Sequence, residues 1–327
     1  MDIRSVKEYL GASWKSVVER IKSALDSDID LLNVTNVSIL SNSGKQLRPL
    51  LALMFARACS SGEVSEATIR YAAAAELLHN ATLLHDDVAD NSDQRRGVPT
   101  LRSLMGPSVS VLVGDYWLVK AMELILGDDD SDARVIKIYS KTLSDLAEGE
   151  MLQLQKAQSC DTDQDAYLRI IYSKTASLFE ASCVSAVISV SDSEVFVKAA
   201  RDYAVALGTA FQIKDDILDY AGTESVGKPL GVDILEQKIT LPLLGAMQNA
   251  GQAQEKRIRG LVRDIAGCPD NRDEIVAFVK ENGGIGYAQE ALEGFVQKAV
   301  AALDVLPDSY EKKCLEQLAH YTADRIK

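Results

Sequence analysis

Several absences narrow what this 327-residue chain can be. Its five cysteines, Cys59, Cys160, Cys183, Cys268 and Cys314, are odd in number and none stands at a Cys-x-x-Cys spacing. That argues against a zinc site or a disulfide framework and suits a reducing compartment. No run of apolar residues is long enough to cross a bilayer, so no stable membrane span is expected. The opening residues, MDIRSVKEYLGASWKSVVER, place no apolar segment behind their basic residues. No secretory signal is therefore expected, and the cytoplasm is the expected location. Positive charge is scarce: 35 Lys and Arg face 48 Asp and Glu, a net charge of −13. Such a surface repels nucleic-acid phosphates and anionic lipid, so no nucleic-acid partner is expected. An anionic ligand would need locally gathered cations or bridging metal ions. No Gly-x-Gly-x-x-Gly follows a strand-like run.

Proline is the most telling shortage. The seven prolines are at 49, 99, 107, 229, 242, 269 and 307, so residues 108–228 contain none. A long proline-free stretch rich in Ala, Leu and Ser is hard to divide into short strands and easy to build from long helices. Periodicity agrees. In 69–89, Ile69, Ala73, Leu77, Ala81 and Leu84 recur at three- and four-residue steps, and in 203–220 Tyr203, Leu207, Phe211 and Ile213 do the same. Helix breaks are expected near 26–44, 60–65, 91–107, 127–132, 158–164, 191–194, 221–234, 250–254, 267–272 and 304–308. With 47% apolar residues the chain can bury a core, and the pattern predicts an all-α bundle. No linker composition separates folded units, so residues 1–327 are read as one domain.

Two acidic clusters share one pattern. Residues 83–91 read LLHDDVADN and residues 212–220 read QIKDDILDY, giving Asp86, Asp87 and Asp90, then Asp215, Asp216 and Asp219. The first and last Asp of each are four apart and share a helix face. Like charges so placed weaken a helix, and a divalent cation reverses that sign. Oxygen ligands few in number suit Mg²⁺, which keeps waters and bridges to phosphate. Each cluster follows apolar helix, where a buried face meets an opening. Asp128, Asp129 and Asp130, in GDDDSD, have no such neighbour and read as a solvated loop.

Cations stand near these clusters. Lys45 and Arg48, in GKQLRP, are three apart and expected to share a first helical turn that grips one anion. Arg95 and Arg96 follow Asp90 in DNSDQRRG and can fold back over it. His79 lies two turns before Asp86 on the same face, and His85 reads as a structural hydrogen-bonder. Lys174 and Thr175, Gln212, Lys228 and Lys238 complete the set.

GKQLRP, ELLHNATLLHDDVADNSDQRRG, SKTASLFE, FQIKDDILDY and GKPLGVDILEQKITLPLL follow one another in an order that resembles the trans-polyprenyl diphosphate synthases. The resemblance spans about 40–245, and the short first cluster is similar to that of the long-chain bacterial octaprenyl, solanesyl and heptaprenyl synthases. It implies an all-α, isoprenoid-synthase-type bundle around a central apolar tunnel, and a homodimer in which the partner is a second copy of the chain. It implies that Asp86, Asp90, Asp215 and Asp219 ligate Mg²⁺, three ions per site, with Asp87 and Asp216 in support. It implies that Lys45, Arg48, His79 and Arg96 bind isopentenyl diphosphate, and that Arg95, Lys174, Thr175, Gln212 and Lys228 contact an allylic diphosphate, farnesyl or geranylgeranyl. Lys238 and Asp233 fall in the matching region. The implied reaction is head-to-tail condensation to a long all-trans polyprenyl diphosphate for a quinone side chain, a product able to draw the enzyme to membranes.

Chain length is expected to be set below the first cluster. Ala81 lies about 7.5 Å before Asp86 by helical rise, with Thr82 beside it. Both are small, so the tunnel should continue toward Trp117, Met122 or Leu124, and the resemblance implies a product of about seven to nine isoprene units. The alternatives at this point are a catalytic subunit of a heteromeric synthase and a shorter-chain geranylgeranyl diphosphate synthase. A terpene cyclase fits poorly because QIKDDILDY lacks the Asn/Asp–Ser/Thr–Glu triad, and an inactive regulatory subunit fits poorly because both clusters are whole. A calcium-binding bundle lacks EF-hand spacing.

Overall fold

The computed structural model describes residues 2–42, 44–95, 97–127, 132–221 and 231–325. Arg96, Lys228 and Asp128–Asp130 lie outside the described residues. The architecture is all-α, as the proline distribution predicts. In chain order it runs α1 (Ile3–Ala24), α2 (Asp30–Ser41), α3 (Leu47–Cys59), α4 (Glu66–Ala89), a hairpin of β1 (Gln94–Arg95) and β2 (Val98–Pro99), α5 (Leu101–Met105) and α6 (Pro107–Leu126). There follow α7 (Ala133–Ser159), α8 (Gln164–Ile171), a π-helical turn (Tyr172–Ala176), α9 (Ser177–Ile188), α10 (Glu194–Ala221) and α11 (Val232–Leu235). The chain ends with α12 (Leu241–Ala250), α13 (Gln252–Arg263), α14 (Asn271–Glu281), α15 (Gly284–Ala302), a 3₁₀ turn (Leu303–Val305) and α16 (Tyr310–Asp324).

Two compact units divide these residues. One comprises Met1–Ser140, Ala181–Ala200 and Leu306–Cys314; the other comprises Lys141–Glu180, Arg201–Val305 and Leu315–Lys327.

In the first unit α4 is the centre, packed by α6, α3 and α1. It starts with a reciprocal cap: Ser65 Oγ accepts from the Thr68 N–H at 3.0 Å, and Thr68 Oγ1 accepts from the Ser65 N–H at 3.2 Å. The expected face of Ile69, Ala73, Leu77, Ala81 and Leu84 is buried, but so are Tyr71, Ala72, Ala74, Ala75 and Leu78. Small side chains on every face let neighbours approach from all sides, so α4 is a core helix rather than an amphipathic one.

Three expected breaks carry helix: α5 within 91–107, α11 at the edge of 221–234 and, the longest, α2 (Asp30–Ser41) within 26–44. Its polarity is inverted: Thr35 and Asn36 are buried while Leu31, Val34 and Val37 are exposed. Asn36 explains this. Its amide donates to the Leu25 carbonyl at 2.9 Å and its oxygen accepts from Trp117 Nε1 at 2.8 Å. Removing it would leave the buried Trp117 N–H without a partner, at a cost of about 1–3 kcal/mol, and leave the Leu25 carbonyl only the longer bond from Tyr116 Oη at 3.5 Å. This contact therefore offsets the modest helix propensity of a segment holding Asn33, Val34, Thr35, Asn36 and Val37 in a row.

A buried ionic cluster ties both termini of this unit to α3. Glu311 accepts from Tyr9 Oη at 2.6 Å and from Arg57 Nε at 2.9 Å. Burial alone would raise the Glu311 carboxyl, but the Tyr9 and Arg57 hydrogen bonds outweigh it and hold the pKa below the usual glutamate value. A depressed carboxylate pKa stabilises the fold above the unfolded value of about 4.3 and loses that contribution as pH falls through the folded one. The melting temperature of the wild type is therefore expected to drop more steeply below pH 4.5 than that of Glu311→Gln, as calorimetry across pH 6 to 3 would record; parallel curves would contradict it.

In the second unit α12 packs against α13, α14 and α15. Ile234, Ile239, Leu243, Met247, Ile258, Val262, Ile275 and Val279 form its core, with Tyr220 from the end of α10. The π-helical turn between α8 and α9 is held by two close approaches. A Cβ on Gly149 of α7 would stand 2.5 Å from Ser173 Cβ, and one on Gly208 of α10 would stand 2.6 Å from Ala176 Cα. Only glycine allows the backbones so near.

Candidate active site

The two acidic clusters lie one in each unit, and they share a pattern of exposure. In the first, Asp86 is partly exposed, Asp87 is 4% exposed and Asp90 is open. In the second, Asp215 and Asp219 are partly exposed while Asp216 is 3% exposed. The outer carboxylates face outward and the middle one is buried, in the same register twice. Asp90 is the C-cap of α4, its N–H bonded to the Asp86 carbonyl at 2.8 Å. Asp215, Asp216 and Asp219 lie near the end of α10. Both groups thus stand at the negative pole of a long helix, where a carboxylate is disfavoured and a cation is favoured.

Each buried middle Asp has its own anchor. Asp87 Oδ1 accepts from Arg95 Nε at 2.8 Å, so the hairpin does fold Arg95 back onto the first cluster. Burial nevertheless raises the Asp87 carboxyl above the ordinary range, with Arg95 offsetting it only in part. Asp216 accepts from Tyr167 Oη at 2.6 Å and from Gln212 Nε2 at 3.0 Å, and Gln212 Oε1 accepts from Thr175 Oγ1 at 2.9 Å. This chain joins three residues expected from the sequence with one, Tyr167, that the sequence did not mark. Complete burial and the charge of Asp233 push Asp216 well above the carboxylate range. Burial and the neighbouring Asp219 push Asp233 up to about 7. Asp219 is held by the start of α11, where the N–H groups of Val232 and Asp233 reach its oxygens at 3.1 and 3.2 Å.

A cavity of 160 Å³ opens beside Asp216. It is lined by Tyr167, Lys174, Gln212, Asp233 and Lys238 among others. Lys174 sits in the π-helical turn, a wide turn often found at functional sites, and its ammonium is paired with Glu150 of α7. Lys238 is paired with Glu236. Arg325, just beyond α16, was not anticipated either. Its guanidinium is 2.8 Å from Asp215 Oδ1, donates to the Phe211 carbonyl at 2.6 Å and lies 3.8 Å over the Phe211 ring. A lone arginine in the last residues carried no signal that would have found it.

The other expected residues among those described are all in the first unit. Lys45 and Arg48 do not share a helical turn: α3 starts at Leu47, and Gln46 before it is left-handed, with φ 56° and ψ 49°. Lys45 therefore precedes the helix and is exposed, while Arg48 is inside it and 9% exposed, its carbonyl accepting from Ser182 Oγ at 3.0 Å. Any shared grip is made across a bend rather than along one turn. His79 is partly exposed on α4, and Thr82 Oγ1 donates to its carbonyl at 2.8 Å. His85 Nε2 lies 3.2 Å from Asp115 Oδ1 but makes no hydrogen bond there, so the hydrogen-bonding role expected for His85 is not seen at this atom. Ala81 is fully buried; on α6, Trp117 is fully buried, Leu124 is 9% exposed and Met122 is partly exposed. Among the described residues no three His, Cys, Asp or Glu side chains gather closely enough to hold a metal ion by themselves.

A helical chain carrying paired Asp-Asp-x-x-Asp ends and cations parked on carboxylates is built as a diphosphate-handling transferase. Comparison with known proteins narrows the class. Residues 30–279 match the family model described as polyprenyl synthetase. The octaprenyl diphosphate synthase of Haemophilus influenzae is 38% identical over 326 residues, covering 99% of this chain and 98% of its own. The crystal structure of a decaprenyl diphosphate synthase from Rhodobacter capsulatus superposes with a TM-score of 0.90 at 35% identity, covering all of both chains. That of a polyprenyl synthase from Caulobacter crescentus, complexed with calcium and isoprenyl diphosphate, gives 0.89 at 31% identity over 100% of this chain and 98% of that one. The chain belongs to the polyprenyl synthetase family and is a trans-prenyltransferase of its long-chain group.

Proposed function

We propose that the protein condenses isopentenyl diphosphate head-to-tail onto farnesyl or geranylgeranyl diphosphate, giving an all-trans polyprenyl diphosphate of about seven to nine isoprene units for a quinone side chain. The observation that carries this reading is the repeated exposure pattern of the two acidic clusters, outer carboxylates at least partly exposed and the middle one buried. Both clusters then serve one allylic diphosphate, and residues 1–327 work as a single catalytic domain.

The donor set fits Mg²⁺. All candidate ligands are carboxylate oxygens, and an ion with one or two of them completes its shell with water and phosphate oxygens. Asp86, Asp90, Asp215 and Asp219 would hold three ions, which supply Lewis acidity at the leaving diphosphate. Asp87 and Asp216 keep the outer carboxylates in place. Lys174, Thr175, Gln212, Arg95 and Lys228 bind the allylic diphosphate, and Lys174 and Arg95 exchange their carboxylate partners for phosphate oxygens as it enters. They thereby offset the charge that develops on pyrophosphate as the allylic C–O bond breaks. Lys45, Arg48, His79 and Arg96 orient isopentenyl diphosphate so that its double bond attacks the allylic carbon. The proton released as the new double bond forms passes to pyrophosphate. Apolar residues below the first cluster exclude the water that would quench the cation.

Incubation with Mg²⁺, isopentenyl diphosphate and farnesyl diphosphate, followed by sizing of the extracted alcohols, tests the reading. A ladder ending at about C35 to C45 is expected; a product of C20 or no product would overturn it.

A homodimer in the cytoplasm is part of the proposal. No helix among the described residues is long and apolar enough to cross a membrane. On α6, Leu112, Val119 and Leu126 recur every seven residues and are 65%, 52% and 46% exposed, with Leu104 of α5 at 65%. A seven-residue apolar stripe suits self-association about a two-fold axis. Light scattering on a sizing column is expected to give twice the chain mass for the wild type and the single chain mass for Leu112→Glu/Val119→Glu; a monomeric wild type would contradict it.

A further inference from the structure

The turn between Lys45 and Arg48 is made by a residue in an unfavourable conformation. Gln46 has φ 56° and ψ 49°, the small left-handed region that residues with a Cβ enter infrequently. It precedes α3 without capping that helix through its side chain. Its side chain is engaged elsewhere: Gln46 Oε1 accepts from Lys7 Nζ at 3.0 Å. Lys7 belongs to α1, a segment without a motif, thirty-nine positions away.

The delivery of Lys7 to this point is itself built. Gly11 interrupts α1 with φ 52° and ψ −114°, a conformation open to glycine alone. The bend lets Trp14 lie against Lys7, whose ammonium stands 4.4 Å from the ring centroid. That placement orients the cation and shields it. Burial lowers the Lys7 pKa from its ordinary value, while the charge of Glu76 on α4 pulls the other way. Glu76 is 3% exposed and lies three residues before His79 on the same helix. Lys7 is thus set among the segments that carry Lys45, Arg48 and His79.

We propose that Lys7 is a positioning residue of the isopentenyl diphosphate subsite: by gripping the Gln46 side chain it holds the left-handed turn that fixes Lys45 relative to Arg48. The inference rests on the assignment of Lys45 and Arg48 to that subsite. Without the grip Gln46 relaxes toward ordinary backbone angles, the chain direction at Lys45 changes, and the two cations no longer converge on one anion. The allylic diphosphate, bound by other residues, is unaffected.

Steady-state kinetics with both substrates varied tests it. Lys7→Met is expected to raise the KM for isopentenyl diphosphate about five- to tenfold with kcat and the allylic KM within about twofold, the signature of lost binding to one substrate. Lys7→Arg, which keeps a donor, restores most of the loss. Adding Gln46→Gly to Lys7→Met restores part of it, because glycine takes the left-handed turn unaided. An unchanged isopentenyl KM in Lys7→Met overturns the inference, as does an equal rise in both KM values with a lowered melting temperature, which is what a purely structural lysine would give. Lys45→Ala separates the two levels. If it raises the isopentenyl KM and Lys7→Met does not, the inference alone fails; if it leaves that KM unchanged, the subsite assignment fails and the inference falls with it.

Discussion

An Asp86→Ala enzyme is expected to turn over roughly 10³-fold more slowly than the wild type while melting at the same temperature or higher. The two halves of that expectation have one cause. Asp86 is partly exposed in the last turn of α4, four residues before Asp90. There the helix pole and the like charge both disfavour a carboxylate, a cost that a cation and diphosphate bound as proposed would offset. Asp87 is the contrast. It is 4% exposed and tied to Arg95 at 2.8 Å, so Asp87→Ala is expected to lower both turnover and the melting temperature by leaving a guanidinium without its partner. Single-turnover kinetics paired with calorimetry on the two variants reads the difference. A full-rate Asp86→Ala enzyme, or one that loses turnover only because it unfolds, would contradict the assignment of the outer carboxylates.

Ala81→Phe is expected to shorten the product by several isoprene units. Ala81 has no exposed surface and lies about 7.5 Å along α4 from Asp86. α4 is packed against α6, whose inward residues include Trp117, Ala121 and Leu124. A growing tail that descended from the first cluster as proposed would pass this point, and a phenyl ring there would close the way. Close packing without a tunnel predicts something different: the added ring would be overpacked, at about 1–3 kcal/mol, and the melting temperature would fall with the product ladder unmoved. Thin-layer sizing of the products and a melting curve on the same preparation distinguish the two. Trp117 is a weaker candidate for the tunnel floor than Met122, because its indole N–H is committed to Asn36 at 2.8 Å and its ring is fully buried. Met122 is partly exposed and carries no such tie.

The features legible in the sequence were those written in short-range pattern. The long helices follow from the proline-free stretch, and the acidic clusters from a repeated five-residue spelling. Thr175, Gln212 and Asp216 were each marked, and they meet in one hydrogen-bonded chain. What escaped was set by contacts distant in the chain. α2 is helical because Asn36 satisfies Leu25 and Trp117, a fact no local propensity holds. Lys45 and Arg48 look like neighbours on a helix, and only the left-handed Gln46 shows that they are not. Tyr167 and Arg325 reach the second cluster from 49 and 110 positions away, and Glu150 reaches Lys174 from 24, through single side chains with no motif around them. Glycine spacing hinted at nothing, yet Gly149 and Gly208 let α7 and α10 close on the wide turn that carries Lys174.

The central claim is that the two acidic clusters act on one diphosphate. Anomalous diffraction from crystals grown with Mn²⁺ and a non-ionising thio analogue of farnesyl diphosphate tests it most directly. The account predicts manganese peaks bridging a single diphosphate to carboxylates of both clusters, Asp86 and Asp90 on one side and Asp215 and Asp219 on the other. Manganese and diphosphate found at one cluster only, with the other binding neither, would contradict it.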